Sequence, residues 1–85
     1  MHKLVFSLEG RSSLASLDKD TAQRILNRLK WFVQNFDKIQ PIPLKGNLSG
    51  LCKLRAGDWR IIYEVNSNEK VITVHKIGHR KDIYR

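Results

Sequence analysis

Cysteine is nearly absent from the chain, and a lone Cys52 excludes an internal disulfide as the staple of so small a fold. No Cys/His spacing resembles a zinc site, and neither a metal nor another cofactor is implied. Long apolar runs are missing too; the longest is far too short to span a bilayer, and the first residues carry no signal-peptide pattern. A reducing cytoplasm, with no membrane partner, is therefore the expectation. Acidic charge is also scarce, with 8 Asp and Glu against 16 Lys and Arg, a formal net charge of +8. On one small domain that field points to nucleic acid, an anionic surface or an acidic protein partner. Repeats, linkers and low-complexity segments are lacking, so residues 1–85 read as a single domain.

What is present is an ordinary globular composition, 41% hydrophobic and 28% charged. Residues 2–7 (HKLVFS) predict a first strand ended by Glu9-Gly10, and Leu14 and Leu17 predict a short helix from about Glu9 to Ser16. From Lys19 to Phe36 an apolar stripe of Ala22, Ile25, Leu26, Leu29, Phe32, Val33 and Phe36 recurs at helical spacing, with Asp18 placed to cap it. Pro41, Pro43, Gly46 and Gly50 mark residues 37–50 as a loop. Two strands from Leu51 to Val65, a turn at Asn66–Glu69 and a strand from Lys70 to Ile77, broken by Gly78, complete the chain. The order β-α-α-β-β-β describes an α+β domain, a helical hairpin on one face of a mostly antiparallel four-stranded sheet, with the other face left for a ligand.

The most informative stretch is Leu51 to Tyr63, LCKLRAGDWRIIY. Alternation puts Lys53 and Arg55 on one strand face and Cys52 and Leu54 on the other, while Arg60 points away from Trp59, Ile61 and Tyr63. A hairpin gathers the cations into one patch, which is unfavourable across strands unless an anion is bound there. Each of Lys53, Arg55, Arg60 and Arg80, taken singly, reads as a solvated surface cation; together they suit a phosphate. Phosphoryl transfer on RNA fits such a set, with a 2′-hydroxyl attacking the adjacent phosphate and fixed cations stabilising the developing charge. Lys53 would then act as general base or hold the alkoxide, and His79 would protonate the leaving 5′-oxygen unless it is simply a surface histidine. Tyr84 has two readings, stacking on a nucleobase or closing the C-terminus onto the sheet. Glu64 reads as a salt-bridge partner, His75 as packed and Cys52 as a small apolar residue. Trp31 falls almost opposite the apolar stripe, beside Arg24 and Arg28, and either packs on the short helix or anchors a protein partner with them.

The segments LKGNLSGLCKLRAGDWRIIYEV (Leu44 to Val65) and IGHRKDIY (Ile77 to Tyr84) resemble the RelE/ParE superfamily of toxins from type II toxin–antitoxin systems, the RelE branch above all. The resemblance covers essentially the whole chain. It implies the β-α-α-β-β-β, RelE-like and microbial RNase-like fold, and a cytoplasmic, metal-independent endoribonuclease that enters the ribosome and cuts mRNA, halting translation. By position it implies that Lys53 is the general base, that Arg55 and Arg60 belong to the catalytic strands with Arg60 at the scissile phosphate, that Arg80 holds the phosphate and leaving group, and that Tyr84 stacks on the substrate base. The implied partners are a RelB-like or similar antitoxin that wraps the toxin, the ribosome with its mRNA, and operator DNA only through the antitoxin complex. Cys52 stands where many relatives carry an aromatic residue, and the segment between Arg80 and Tyr84 is shorter than in the best-known members. A ParE-like DNA gyrase poison on the same fold, and a non-catalytic basic module that binds antitoxin or RNA, are the competing readings.

Overall fold

Leu4, Val5 and Phe6 form β1 (Lys3–Phe6) in a computed structural model that describes residues 2–83. Ser7 then stops the strand and starts a helix: its Oγ accepts the Gly10 N–H at 3.0 Å, capping α1 (Leu8–Ala15). Asp18 occupies the N-cap position of α2 (Lys19–Gln34), where the Thr21 hydroxyl, first among its neighbours, holds its carboxyl below the usual range. α2 buries Ile25, Leu29 and Phe32 of the stripe read from the sequence and adds Thr21 to them, while Leu26, also in that stripe, stays exposed. It ends two residues early, at Gln34, because the Asn35 amide donates to the Trp31 carbonyl at 2.8 Å and Phe36–Lys38 tighten into a 3-10 turn.

Four further strands follow, β2 (Ile42–Pro43), β3 (Cys52–Ala56), β4 (Trp59–Asn66) and β5 (Val71–His79). Their order in the sheet is β1-β5-β4-β3-β2, with β1 parallel to β5 and every other pair antiparallel. The sheet thus has five strands rather than four. The added one, β2, lies inside the predicted loop and pairs only Ile42 with Lys53 and Pro43 with Cys52. Proline is tolerated there because β2 is an edge strand.

The core lies between α2 and one sheet face, where Ile25, Leu29 and Phe32 meet Leu54, Ile61, Tyr63, Ile72, Val74 and Ile77. Phe32 meets the Tyr63 ring edge-on at 4.9 Å. Burial raises the Cys52 thiol and pushes the Tyr63 hydroxyl, with which it shares a hydrogen bond, well above its ordinary range. α1 seals β5 where β1 runs out: Ser7 N–H donates to the Val74 carbonyl at 3.0 Å, and a Cβ on Gly10 would sit 2.1 Å from that same oxygen. Only glycine permits this approach.

Two expectations need correction. Gly78 does not break β5; it pairs with Arg60, and the strand runs on to His79. Nor is the second sheet face wholly open. The Asp82 and Ile83 N–H groups both donate to the His79 carbonyl and turn the tail back, so that Ile83 lies over Gly78. Ile83 and Ile62 are each only 3% exposed.

Candidate nucleic-acid interface

Residues paired directly across antiparallel strands point to the same face. The register pairs Lys53 with Ile62 and Arg55 with Arg60, while Leu54 pairs with Ile61 in the core. Lys53, Arg55 and Arg60 therefore share the face turned away from α2, as the alternation predicts. β5 adds to it, because Ile62 also pairs with Lys76 and Arg60 with Gly78. Lys76 is a cation that sequence reasoning missed. A β-bulge at Ile62/Tyr63 inserts His75 and leaves His75 and Lys76, neighbours in sequence, on one face, which strict alternation forbids.

The hairpin turn fixes the two arginines nearest its tip. Gly57 takes a positive φ of 63° in that turn. Arg60 Nη1 donates to the Gly57 carbonyl at 2.8 Å and to the Trp59 carbonyl at 2.9 Å, which folds the guanidinium over its own turn. The Arg80 N–H donates to the Asp58 carbonyl at 2.8 Å, and its Nε lies 3.7 Å from Asp58 Oδ1 with both side chains exposed. Arg60 and Arg80 are thus tied to one turn, with Arg55 opposite Arg60 and Lys53 one row further along the hairpin. These groups form an open cationic row. Two carboxylates on this side are already engaged, Asp58 with Arg80 and Glu64, whose Oε1 lies 2.9 Å from His75 Nε2.

His79 does not join this row. It pairs with Trp59, meets that ring edge-on at 5.6 Å, and accepts the Lys81 N–H on Nδ1 at 3.3 Å. Trp59 packs toward the core, so the imidazole lies on the helix side of the sheet. Tyr84 lies outside the described residues.

Trp31, Arg24 and Arg28 gather on the other face. Trp31 is 47% exposed, so it is not buried on α1. The Arg28 guanidinium carbon lies 4.7 Å from its ring centroid, and Arg28 Nε donates to the Arg55 carbonyl at 3.1 Å, capping the β3 edge past the end of β2. Arg24 and Arg28 also line a groove of about 460 Å³ whose far wall is Trp59 and the Ala56–Asp58 turn. The turn that holds Arg60 and Arg80 is therefore also one wall of the groove behind them.

A family model described as the ParE toxin of the type II toxin–antitoxin system, parDE, matches residues 4–84. Toxin RelG of Mycobacterium tuberculosis is 33% identical over 43 residues, which is 51% of this chain and 49% of that protein, so the match spans about half of the relative's length. Among solved structures, the RelBE2 toxin–antitoxin complex of Mycobacterium tuberculosis superposes with a TM-score of 0.81 at 18% identity, over 93% of this chain and 98% of that one. The archaeal RelE–RelB complex of Pyrococcus horikoshii gives 0.68 at 27% identity, over 95% and 97%. The isolated E. coli RelE toxin gives 0.73 at 20% identity, over 93% and 84%. The first and third of these likenesses speak for the fold alone.

Proposed function

The chain belongs to the ParE toxin family of type II toxin–antitoxin systems, within the RelE/ParE superfamily, and from that premise we propose that it is a ribosome-dependent mRNA endoribonuclease that stops translation. One observation carries the reading. Arg55 and Arg60 face each other directly across β3 and β4, with Lys53 and Lys76 flanking Ile62 in the next row. Like charges so placed cost stability, and a phosphodiester laid along the row offsets that cost.

In this scheme the 2′-oxygen of one nucleotide attacks its own 3′-phosphorus. The P–O bond to the next 5′-oxygen breaks, leaving a 2′,3′-cyclic phosphate and a 5′-hydroxyl. Lys53 takes the 2′-proton or holds the alkoxide, and Arg55 and Arg60 stabilise the non-bridging oxygens. Arg80 swings from Asp58 to the leaving oxygen, which takes its proton from solvent. His79, packed on Trp59, acts as a brace for the end of β5 and stays outside the reacting set. Tyr84 stacks on the substrate base. The cations needed for charge stabilisation come from the chain itself.

The partner is an antitoxin whose acidic segment neutralises the basic surface, with Arg24, Arg28 and Trp31 as its anchors. Operator DNA is contacted only through that complex, and the toxin acts in the cytoplasm. Among the described residues no helix is long and apolar enough to cross a membrane. The second reading, a DNA gyrase poison, is favoured by the description of the matching family model as ParE.

One experiment separates the two. Purified protein is added to an in vitro translation reaction and to a gyrase supercoiling reaction, with mRNA cuts mapped by primer extension. Codon-phased cuts that vanish in Lys53→Ala support the ribonuclease; gyrase-dependent DNA breaks with intact mRNA support the poison.

A further inference from the structure

We propose that the groove between α2 and the β3–β4 turn is a second RNA subsite, on the helix side of the sheet, which takes the strand on the 3′ side of the cut as it leaves the cationic row and crosses the hairpin tip. The inference rests on the ribonuclease reading, and the direction of the strand follows from it. Lys53, at the 2′-oxygen, stands one row away from the turn, whereas Arg80, at the leaving 5′-oxygen, is tied to the turn itself through the Asp58 carbonyl. The RNA therefore runs 5′ to 3′ toward the tip, and the nucleotide beyond the leaving group meets the groove behind it.

The groove suits a phosphate with a flat apolar group beside it. Its volume of about 460 Å³ falls within the roughly 300–1,000 Å³ of clefts that hold a small ligand, so a nucleotide fits. Arg24 and Arg28 stand one helical turn apart on α2, a spacing at which like charges destabilise a helix. Among the described residues Arg24 makes no hydrogen bond or ion pair, and Arg28 commits only its Nε, to the Arg55 carbonyl. The Nη donors of both remain for an anion. Asp58, the one carboxylate in the lining, is turned to Arg80.

The opposite wall is apolar, formed by Ala56 and the Trp59 ring. Cations that follow the backbone, with an aromatic side chain on which a base stacks, hold single strands without reading their sequence. The subsite therefore adds grip and direction, not base choice. An antitoxin segment anchored on the same two arginines and this stretch of RNA exclude each other.

The test is binding rather than cleavage. Fluorescence anisotropy follows 2′-O-methyl RNAs, which have no 2′-hydroxyl to attack: a short one that fills the row, and the same one extended at its 3′ end or at its 5′ end. Wild type, Arg24→Gln and Lys30→Gln are compared over a range of salt, with thermal melts to check folding. Lys30 is an α2 cation outside the groove, so its variant loses the same charge elsewhere. The 3′ extension is expected to tighten wild-type binding about tenfold. Arg24→Gln should erase most of that gain and lower the salt slope for the extended RNA by about 0.7, the loss of one phosphate contact; Lys30→Gln should keep both. A gain that survives Arg24→Gln, or falls equally in Lys30→Gln, overturns the subsite. So does a wild type that gains nothing, or only from the 5′ extension, and the two arginines then serve a protein partner alone. No affinity for any of the RNAs overturns the RNA reading of the cationic row as well.

Discussion

Arg80 grips Asp58 twice, through its backbone N–H on the Asp58 carbonyl at 2.8 Å and through its Nε, 3.7 Å from the Asp58 carboxylate. The backbone bond sets where β5 ends relative to the hairpin turn. The side-chain pair is exposed and long, so it parks the guanidinium rather than holding the fold. Asp58→Asn should therefore shift the melting temperature by less than about 4 °C, since exposed pairs are worth under ~1 kcal/mol. In the ribonuclease account it should also leave Arg80 freer to reach substrate and keep or raise the cleavage rate. A large loss of stability would assign the pair a structural role.

Two glycines touch neighbours of different stiffness, and alanine at each should separate them. At Gly10 the new Cβ would meet the Val74 carbonyl oxygen at 2.1 Å, a backbone atom that cannot yield. At Gly78 it would meet Ile83 Cδ1 at 2.9 Å, the end of a side chain that can rotate. Gly10→Ala should cost ~3 kcal/mol or more and Gly78→Ala about 1 kcal/mol, measured by urea unfolding. Equal costs would contradict the packing of α1 against the β5 edge.

The core tyrosine should make the fold sensitive to alkali. Tyr63 is buried and its hydroxyl titrates above the ordinary range, so the folded state holds that proton more tightly than the unfolded chain. The stability this contributes is fully present below the unfolded-state value, about pH 10, and is lost as pH rises beyond it. Cys52 adds in the same direction from about pH 8.5 upward. Melting temperatures recorded from pH 7 to 11 should fall steeply at the alkaline end, and Tyr63→Phe should flatten that fall. A slope unchanged in the variant would contradict the assignment.

Much of this architecture was legible because burial and periodicity coincide. The α2 stripe, the alternation of Cys52 to Arg55 and the Gly57-Asp58 turn each follow a single local rule. The features that escaped depend on partners far along the chain. β2 is two residues long and exists only because Cys52 and Lys53 offer an edge. Gly78 reads as a breaker, yet it serves as the flat seat for Ile83, a contact that appears only once the tail turns back. Lys76 reads as an inward residue until the bulge beside Ile62 turns it outward. The register of β3 and β4 sets Lys53, Arg55 and Arg60 on one face, as alternation predicts, whereas the pairing of His79 with Trp59 carries it to the helix side, which no local rule announces.

Arg60 carries the central claim that the cationic row serves chemistry rather than folding. Its two hydrogen bonds reach only carbonyls of its own turn, so Arg60→Ala should cost no more than about 1–2 kcal/mol in stability. Its loss from a transition state should cost about 10²–10³ in rate. The most direct measurement is single-turnover mRNA cleavage on programmed ribosomes by wild type and Arg60→Ala, with a thermal melt of each. A rate loss of that size in a protein that still melts as a cooperative fold is the predicted result. Unchanged cleavage by the folded variant would contradict the account.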